Sequence, residues 1–408
     1  MGAKAFQLTV AEYFAGVGLM RMGLERCGWR VVWANDVSEQ KFRMYKAFFS
    51  DAGRIYVVAD VFQVDPESVP ETALATCSFP CVNLSVAGRM EGINGRHSSA
   101  FWGFINILER QSRKGRHPPL VLVENVPGWL YSNKGRDFRL TVEALNRLGY
   151  MCDVFAVNAL SFRPQSRLRV FLVGMREDVF GGPDDPRFYF ERVRRRSRLL
   201  APLTLRRSVQ ACLDLSWKHL PVPAPPPLKT SGLAEIVEPL PESHPLWWPE
   251  EEVERHMKMM SEEHRRRVEE LARREEYSYR AFFRRMRGGE QRVEVRKDEV
   301  AGCLRTAVGG SAQQFLLRAG KGTIRMRRMT PREYARLQGV PDDLPIPERV
   351  GRVQALTGFG DAVCVDVVEW IAKNVLAPVA LQIAAEPWAS AAAYDGAAAP
   401  DGPPLQTC

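Results

Sequence analysis

Between residues 6 and 174, seven short apolar runs recur with helix-length gaps between several of them, and this rhythm limits the fold more than any single motif. The runs are residues 6–14, 30–35, 55–58, 74–76, 120–124, 151–158 and 169–174, with helical spacing in intervening stretches such as 18–27 and 101–110. Strands alternating with helices predict an α/β domain on a doubly wound, mostly parallel sheet with helices on both faces. Ligands of such a sheet bind outside the carboxyl ends of its strands, so the residues after each run are the ones to inspect. At 408 residues, 45% of them hydrophobic, the chain can bury one large or two smaller cores.

After Gly174 the rhythm stops. A GGPDDP turn at 181–186 precedes a basic run with Arg192, Arg194, Arg195, Arg196 and Arg198, and PVPAPPPLK at 221–229 is a proline-rich connector. Polyproline makes a stiff, exposed segment rather than sheet. Residues 250–287 read as helix of mixed charge running into the aromatic and basic YSYRAFFRRMR, with Tyr277, Phe282 and Phe283 expected to pack on a small core. GGSAQQ at 309–314 and GKGTIRMRRM at 320–329 read as basic loops. In MTPREYARLQG, Thr330 as N-cap, Pro331 at the first helical position and Glu333 three residues after the cap predict a helix start. Residues 358–375 read as one more helix closing the fold, and 384–408, rich in alanine, glycine and proline, as a poorly ordered, flexible tail.

A formal charge of +9 is compatible with anionic partners and equally with a solubilising surface. The eight cysteines contain no CxxC pair and no zinc or disulfide spacing, so a reduced protein without metal is expected. No apolar run approaches the roughly 20 residues of a spanning helix, and no basic segment followed by an apolar core opens the chain. The expectation is a soluble, cytoplasmic protein with no membrane partner.

Four stretches carry side chains suited to chemistry. In EYFAGVGLM, Gly16 and Gly18 follow a strand and precede a helix, so their backbone can pass close to a cofactor. Asp36 follows VVWAN and Asp60 follows IYVVA, positions suited to a ribose hydroxyl pair and an adenine amino group. A nicotinamide cofactor fits this much equally well. TCSFPCVNLS places Cys81 directly after Pro80, and a buried, inert thiol is the plainer local reading. Glu124 ends the apolar run in LVLVENVPG, unusual for a buried strand unless something pairs with it. Arg167 and Arg169 alternate on one face in RPQSRLRVF, where a surface salt bridge is the plainer reading of either alone.

Together these groups admit one reaction. A thiolate at Cys81 adds to C6 of a pyrimidine, which makes C5 electron-rich enough to take an activated methyl group. Glu124 holds the N3 and amino edge, and an arginine holds the O2 carbonyl. Loss of the C5 proton and elimination of the thiol complete the turnover.

In order and spacing these motifs resemble the bacterial DNA (cytosine-5) methyltransferases, from Ala11 to about Val375, with a divergent middle. The resemblance assigns Phe14-Ala15-Gly16-Val17-Gly18 to the cofactor loop, Asp36 to the ribose, Asp60 to the adenine, and Pro80-Cys81 to the nucleophile, with Pro80 also counted among the cofactor-binding residues. It assigns Glu124-Asn125-Val126 and Gln165, Arg167 and Arg169 to the base-binding motifs, and RMTPREYARLQGVPD, 328–342, to the return into the catalytic domain. What it implies is a class I SAM-dependent methyltransferase fold with a smaller target-recognition domain, S-adenosyl-L-methionine as cofactor, and double-stranded DNA whose cytosine flips into the cleft. The implied organisation is a catalytic domain over 1–184, a variable target-recognition region over 185–325, and a return over 326–380. Candidate DNA contacts lie at 192–207, 279–287 and 313–328. A monomer, paired in function with a restriction endonuclease or acting as an orphan or phage-borne enzyme, is the implied context.

Three positions depart from the family pattern: Val82 stands for glutamine, Leu19 for a glycine, and Asp361 for the asparagine of the last motif. Asp361 is expected near the methionine end of the cofactor. An RNA (tRNA) cytosine-5 methyltransferase and a catalytically silent DNA-binding protein are the alternatives.

Overall fold

The structure, a computed structural model, describes residues 7–80, 100–305 and 313–384. Seven strands form one sheet: β1 (Thr9–Tyr13), β2 (Arg30–Asp36), β3 (Tyr56–Val58), β4 (Leu74–Cys77), β5 (Leu120–Asn125), β6 (Tyr150–Asn158) and β7 (Leu168–Arg176). Their order is β3-β2-β1-β4-β5-β7-β6, parallel from β3 through β5, with β7 antiparallel to both its neighbours. This is the doubly wound α/β arrangement expected, a Rossmann-like sheet with one reversed strand. The chain crosses from β3 to the far side of β1, so the switch point lies between the carboxyl ends of β1 and β4.

Alternation along the strands divides the core. Val10, Leu74, Leu120 and Leu122 face one layer, while Ala11, Ala75, Val121 and Val123 face the other. The first layer includes the helices Leu19–Glu25 and Val365–Ile371, and the second includes Ala100–Ser112 and Arg136–Arg147. Contact between the first two is close. A Cβ at Gly23 would lie 2.5 Å from Val368 Cβ and 2.7 Å from the Val365 carbonyl oxygen, so only glycine lets the C-terminal segment seat there.

A smaller sheet, β11-β10-β8-β9, is wholly antiparallel: β8 (Ser278–Arg287), β9 (Glu290–Val295), β10 (Phe315–Gly320) and β11 (Thr323–Arg328). Its core of Val268, Leu271, Phe282, Phe315 and Met326 packs under the helices Glu250–Lys258 and Glu262–Ala272. Here the sequence reading is corrected twice. The helix expected over 250–287 ends by Ala272, and YSYRAFFRRMR is the strand β8. GKGTIRMRRM is a hairpin turn and β11, with Lys321 and Gly322 at positive φ. The arginine content concealed an alternating pattern, because several arginines are partnered: Arg280 with Glu299, Arg318 with Glu242, and Arg327 with Glu333.

Thr330 caps the helix Pro331–Leu337 in a full capping box with Glu333, as its spacing predicts. The single closing helix over 358–375 is instead two, Arg352–Asp361 and Val365–Ile371. The carbonyls at the break are engaged from outside: Arg167 reaches Gly360 and Ala362, and Gln338 reaches Phe359 and Ala362. Residues 186–217 begin as two helices, Pro186–Arg195 and Leu203–Gln210, whose Tyr189, Val193, Leu205 and Val209, with Trp217, pack in the core of the large sheet. The tail expected at 384–408 lies outside the described residues from 385 onward.

Candidate active site

The loop after β1 is built from unusual backbone. Phe14 has φ 58°, a left-handed conformation that costs a bulky residue energy, and Gly16 and Gly18 follow at 57° and 85°. A Cβ on Gly18 would meet the Phe49 ring at 2.5 Å, so glycine is required there on both counts. Asp36, at the end of β2, ties the loop down: its Oδ2 accepts from Gly16 N at 3.0 Å and its Oδ1 from Ser38 N at 2.9 Å. Each carboxylate oxygen has a second lone pair, so the same group can still accept from a ribose hydroxyl pair. Asp60 caps the turn after β3 by accepting from Phe62 N at 3.0 Å. Val37 and Phe62, each adjacent to or near one of these acids in sequence, are 70% and 54% exposed, apolar faces of the kind an adenine ring covers. The Val17 side chain is fully buried, next to Gly358. Asp361 pairs with Lys41 at 3.2 Å, so its carboxylate lies against a cation. These acceptors, glycines and apolar faces fit a nucleoside-bearing cofactor such as S-adenosyl-L-methionine.

Pro80 is the last described residue after β4; Cys81, Val82 and Asn83 lie outside the described residues. The approach to Cys81 is anchored. Phe79 packs on Phe101 and Trp129, and its carbonyl accepts from Asn125 Nδ2 at 3.4 Å. Asn125 therefore ties the end of β5 to the segment that carries the Pro-Cys pair, a role its spacing did not reveal. Cys77, one turn of sequence earlier, is a different thiol: burial pushes its pKa well above the ordinary value, which keeps it inert.

Glu124 and Arg169 meet. Glu124 Oε1 lies 3.1 Å from Arg169 Nε, and both side chains are about nine-tenths buried. The reversed strand explains the encounter. In the β5–β7 register Glu124 opposes Phe171 and Asn125 opposes Val170, so the beginning of β7 lies at the carboxyl edge of β5. Arg167 does something else. Its Nη1 donates to the Leu304 carbonyl at 2.8 Å, and its Nη2 to Gly360 and Ala362 at 3.1 and 2.6 Å. The structure thus brings one of the two arginines to Glu124 and commits the other to carbonyls of the small unit and the C-terminal helices. Gln165 works beside it, donating to the Leu337 carbonyl at 2.8 Å.

A residue absent from the sequence argument completes this corner. Cys303 Sγ lies 3.4 Å from Arg167 Nη1 and 3.9 Å from both outer nitrogens of Arg169. Burial pushes its thiol up, but Arg167, Arg169 and Arg305 outweigh that and hold it below the usual thiol range. No sequence signal marks Cys303, because Arg167 and Arg169, the two arginines its sulfur touches, lie more than 130 residues away in sequence.

Of the basic residues offered for DNA contact, Arg196 is excluded: it is buried on Asp153, 2.5 Å from Oδ2, with further bonds to the Val154 and Leu220 carbonyls. By contrast, the Arg285 and Arg287 side chains on β8 are 44% and 63% exposed while pairing with Glu294, Met286 between them is 61% exposed, and Arg292 on β9, outside the stretches offered, is 46% exposed beside Glu290. Among the described residues no group of three or more histidine, cysteine or acidic side chains could hold a metal, and no helix is long and apolar enough to cross a membrane.

Comparison with known proteins gives the family and the fold. The family described as C-5 cytosine-specific DNA methylase matches residues 8–377. The type II methyltransferase M.DsaV of Dactylococcopsis salina is 25% identical over 380 residues, 92% of this chain and 88% of its own. M.NgoBI of Neisseria gonorrhoeae is 29% identical over 169 residues, 41% of this chain and 50% of its own. The chain spans about half the length of M.NgoBI and of several other curated relatives that it matches. In fold, the S. pombe Dnmt2 methyltransferase is similar with a TM-score of 0.56 at 17% identity, covering 91% of this chain and 99% of that one.

Proposed function

We propose that this chain, which belongs to the C-5 cytosine-specific DNA methylase family, methylates C5 of a cytosine flipped out of double-stranded DNA, with S-adenosyl-L-methionine as the methyl source. The observation that carries the reading is the Glu124–Arg169 pair, 3.1 Å apart at the carboxyl end of β5, beside the strand end that leads to Pro80 and Cys81. The bound cofactor supplies an electrophilic methyl group, and the Phe14–Gly18 backbone, Asp36 and Asp60 are the residues to hold it. Cys81 adds as thiolate to C6 of the ring, and C5 gains the electron density that the methyl transfer needs. Glu124 accepts from the amino group and donates at, or shares a proton with, N3. Arg169 keeps that carboxylate oriented and presents N–H groups to the O2 carbonyl as charge develops there. Removal of the C5 proton then lets the ring expel the Cys81 thiolate. Arg167 acts at one remove, as the staple that fixes β7 against the small unit and the C-terminal helices.

The small sheet, with its exposed Arg285, Arg287 and Arg292, is the surface we assign to the duplex; phosphate contacts there supply affinity and a few side chains read base edges. Action as a cytoplasmic monomer, in company with a restriction endonuclease or as an orphan enzyme, belongs to the same proposal. The test is methyl transfer to unmethylated duplex DNA and to transfer RNA in parallel, with trapping on duplex containing 5-fluorocytosine. Label in the duplex and a Cys81-dependent covalent adduct support the reading. Label in the RNA alone, or no adduct from an active preparation, sinks it.

A further inference from the structure

Residues 300–305 leave the small sheet and run along the entry to β7, held there by their backbone. Ala301 N donates to the Pro164 carbonyl at 2.7 Å, and its own carbonyl accepts from Ser166 N at 2.9 Å. Gly302 N donates to Gln314 Oε1 at 3.1 Å, and Leu304 N to Gln165 Oε1 at 3.3 Å. Cys303 is therefore fixed from both sides, with its sulfur towards the arginines and at the wall of a cavity of about 370 Å³ that Ser166, Phe283, Arg285 and Arg305 also line.

A guanidinium is a planar fork, and holding it in one orientation takes acceptors on more than one edge. For Arg169, Glu124 accepts at Nε; the Leu168 carbonyl, at 2.9 Å, and the Cys303 sulfur lie at the outer nitrogens. We propose that Cys303 is a positioning residue of the reaction: its sulfur holds the outer edge of Arg169 and so keeps that fork aligned on Glu124 and the base. The inference rests on the cytosine-methylation reading above and deepens it. A neutral thiol is a weak acceptor, whereas a thiolate is a strong one, and the three nearby guanidiniums favour the thiolate against the opposing effect of burial. The same sulfur accepts from Arg167, so one atom links the arginine that faces the base to the arginine that joins the units. A small displacement of Arg169 acts on turnover rather than on DNA capture, since phosphate contacts elsewhere supply the affinity.

The test uses the full chain, unmethylated genomic DNA and tritium-labelled cofactor, with initial rates measured against DNA concentration and melting followed in parallel. Cys303→Ala and the bulkier Cys303→Val remove the acceptor. Each is expected to lower kcat about tenfold or more, with KM for DNA within about threefold, as a misplaced catalytic group predicts. Cys303→Ser restores an acceptor and brings kcat back to within about threefold of wild type. Unchanged kcat in both acceptor-less variants overturns the proposal. So does an equal loss in the serine variant, or a loss that follows only a lowered Tm. A Cys81→Ser control reports on the reaction itself: a wild-type chain that transfers nothing overturns the methylation reading and this one with it. An active wild type with indifferent Cys303 variants overturns this one alone.

Discussion

Replacing Arg169 with methionine leaves the Glu124 carboxylate in its groove without the guanidinium that lies 3.1 Å from it. The Arg169 and Glu124 side chains are 12% and 11% exposed, so water offers little compensation. Stranding one member of such a pair costs about 3–5 kcal/mol, and the cleft-facing edge places this case near the lower figure. Glu124→Gln costs less, about 1–2 kcal/mol, because an amide oxygen still accepts from Nε. In the double variant neither charge is stranded, so stability returns towards wild type and the cycle shows a coupling of about 1.5 kcal/mol or more. Turnover behaves differently. Either single change removes a group that meets charge developing on the ring, worth about 10²–10³ in kcat, and the double variant regains none of it. Urea unfolding followed by tryptophan fluorescence measures the first quantity, and tritium transfer to DNA the second. Additive stabilities, or an Arg169→Met enzyme within fivefold of wild-type kcat, would refute the assignment of this pair to the base.

Arg196→Met strands the buried Asp153 carboxylate and is expected to cost about 3–5 kcal/mol in denaturant melts, while the exposed Arg195→Ala costs less than about 0.5 kcal/mol. Arg287→Ala and Arg292→Ala on the β8–β9 hairpin should leave melting unchanged and flatten the dependence of DNA affinity on salt, by about one unit of slope for each phosphate no longer neutralised; an unaltered slope removes the hairpin from the DNA surface. Burial pushes Glu12 up to about 8 despite the opposing Arg21, and among the described residues its Oε2 has no hydrogen-bond partner. The folded state thus holds a proton that the unfolded chain has released between about pH 4.5 and 8. Stability should therefore fall as pH rises through that window, by at most about 1.4 kcal/mol per unit from this group. Glu12→Gln should flatten the fall in urea melts at pH 5.5, 7 and 8.5, and an unchanged pH slope in that variant counts against the reading.

The large sheet was legible because its strands are apolar on both faces. A strand buried between two helical layers, such as LVLVEN at β5, has no reason to alternate and stands out as a continuous run. The small sheet was not legible for the opposite reason. β8, β10 and β11 carry arginines, and the burial of Arg280, Arg318 and Arg327 depends on Glu299, Glu242 and Glu333, which are 19, 76 and 6 residues away from them. A charged residue reads as solvent-facing until its partner is known. The closing helix was misjudged on similar grounds, since its break at Ala362 is held by Arg167 and Gln338 rather than by a local helix-breaking residue.

By itself the sequence determined the layered α/β core, the glycine loop after β1, the acids at the end of β2 and just after β3, and the capping box at Thr330, because each of these depends on residues within a turn or a strand of one another. Tertiary structure alone decided which arginine meets Glu124. Arg167, just before β7, and Arg169, within it, are two residues apart, so their spacing alone does not distinguish them. The reversal of β7 sets Arg169 against the end of β5, while three carbonyls, from segments 137 to 195 residues away, claim Arg167. Cys303 enters the site by the same long-range closure.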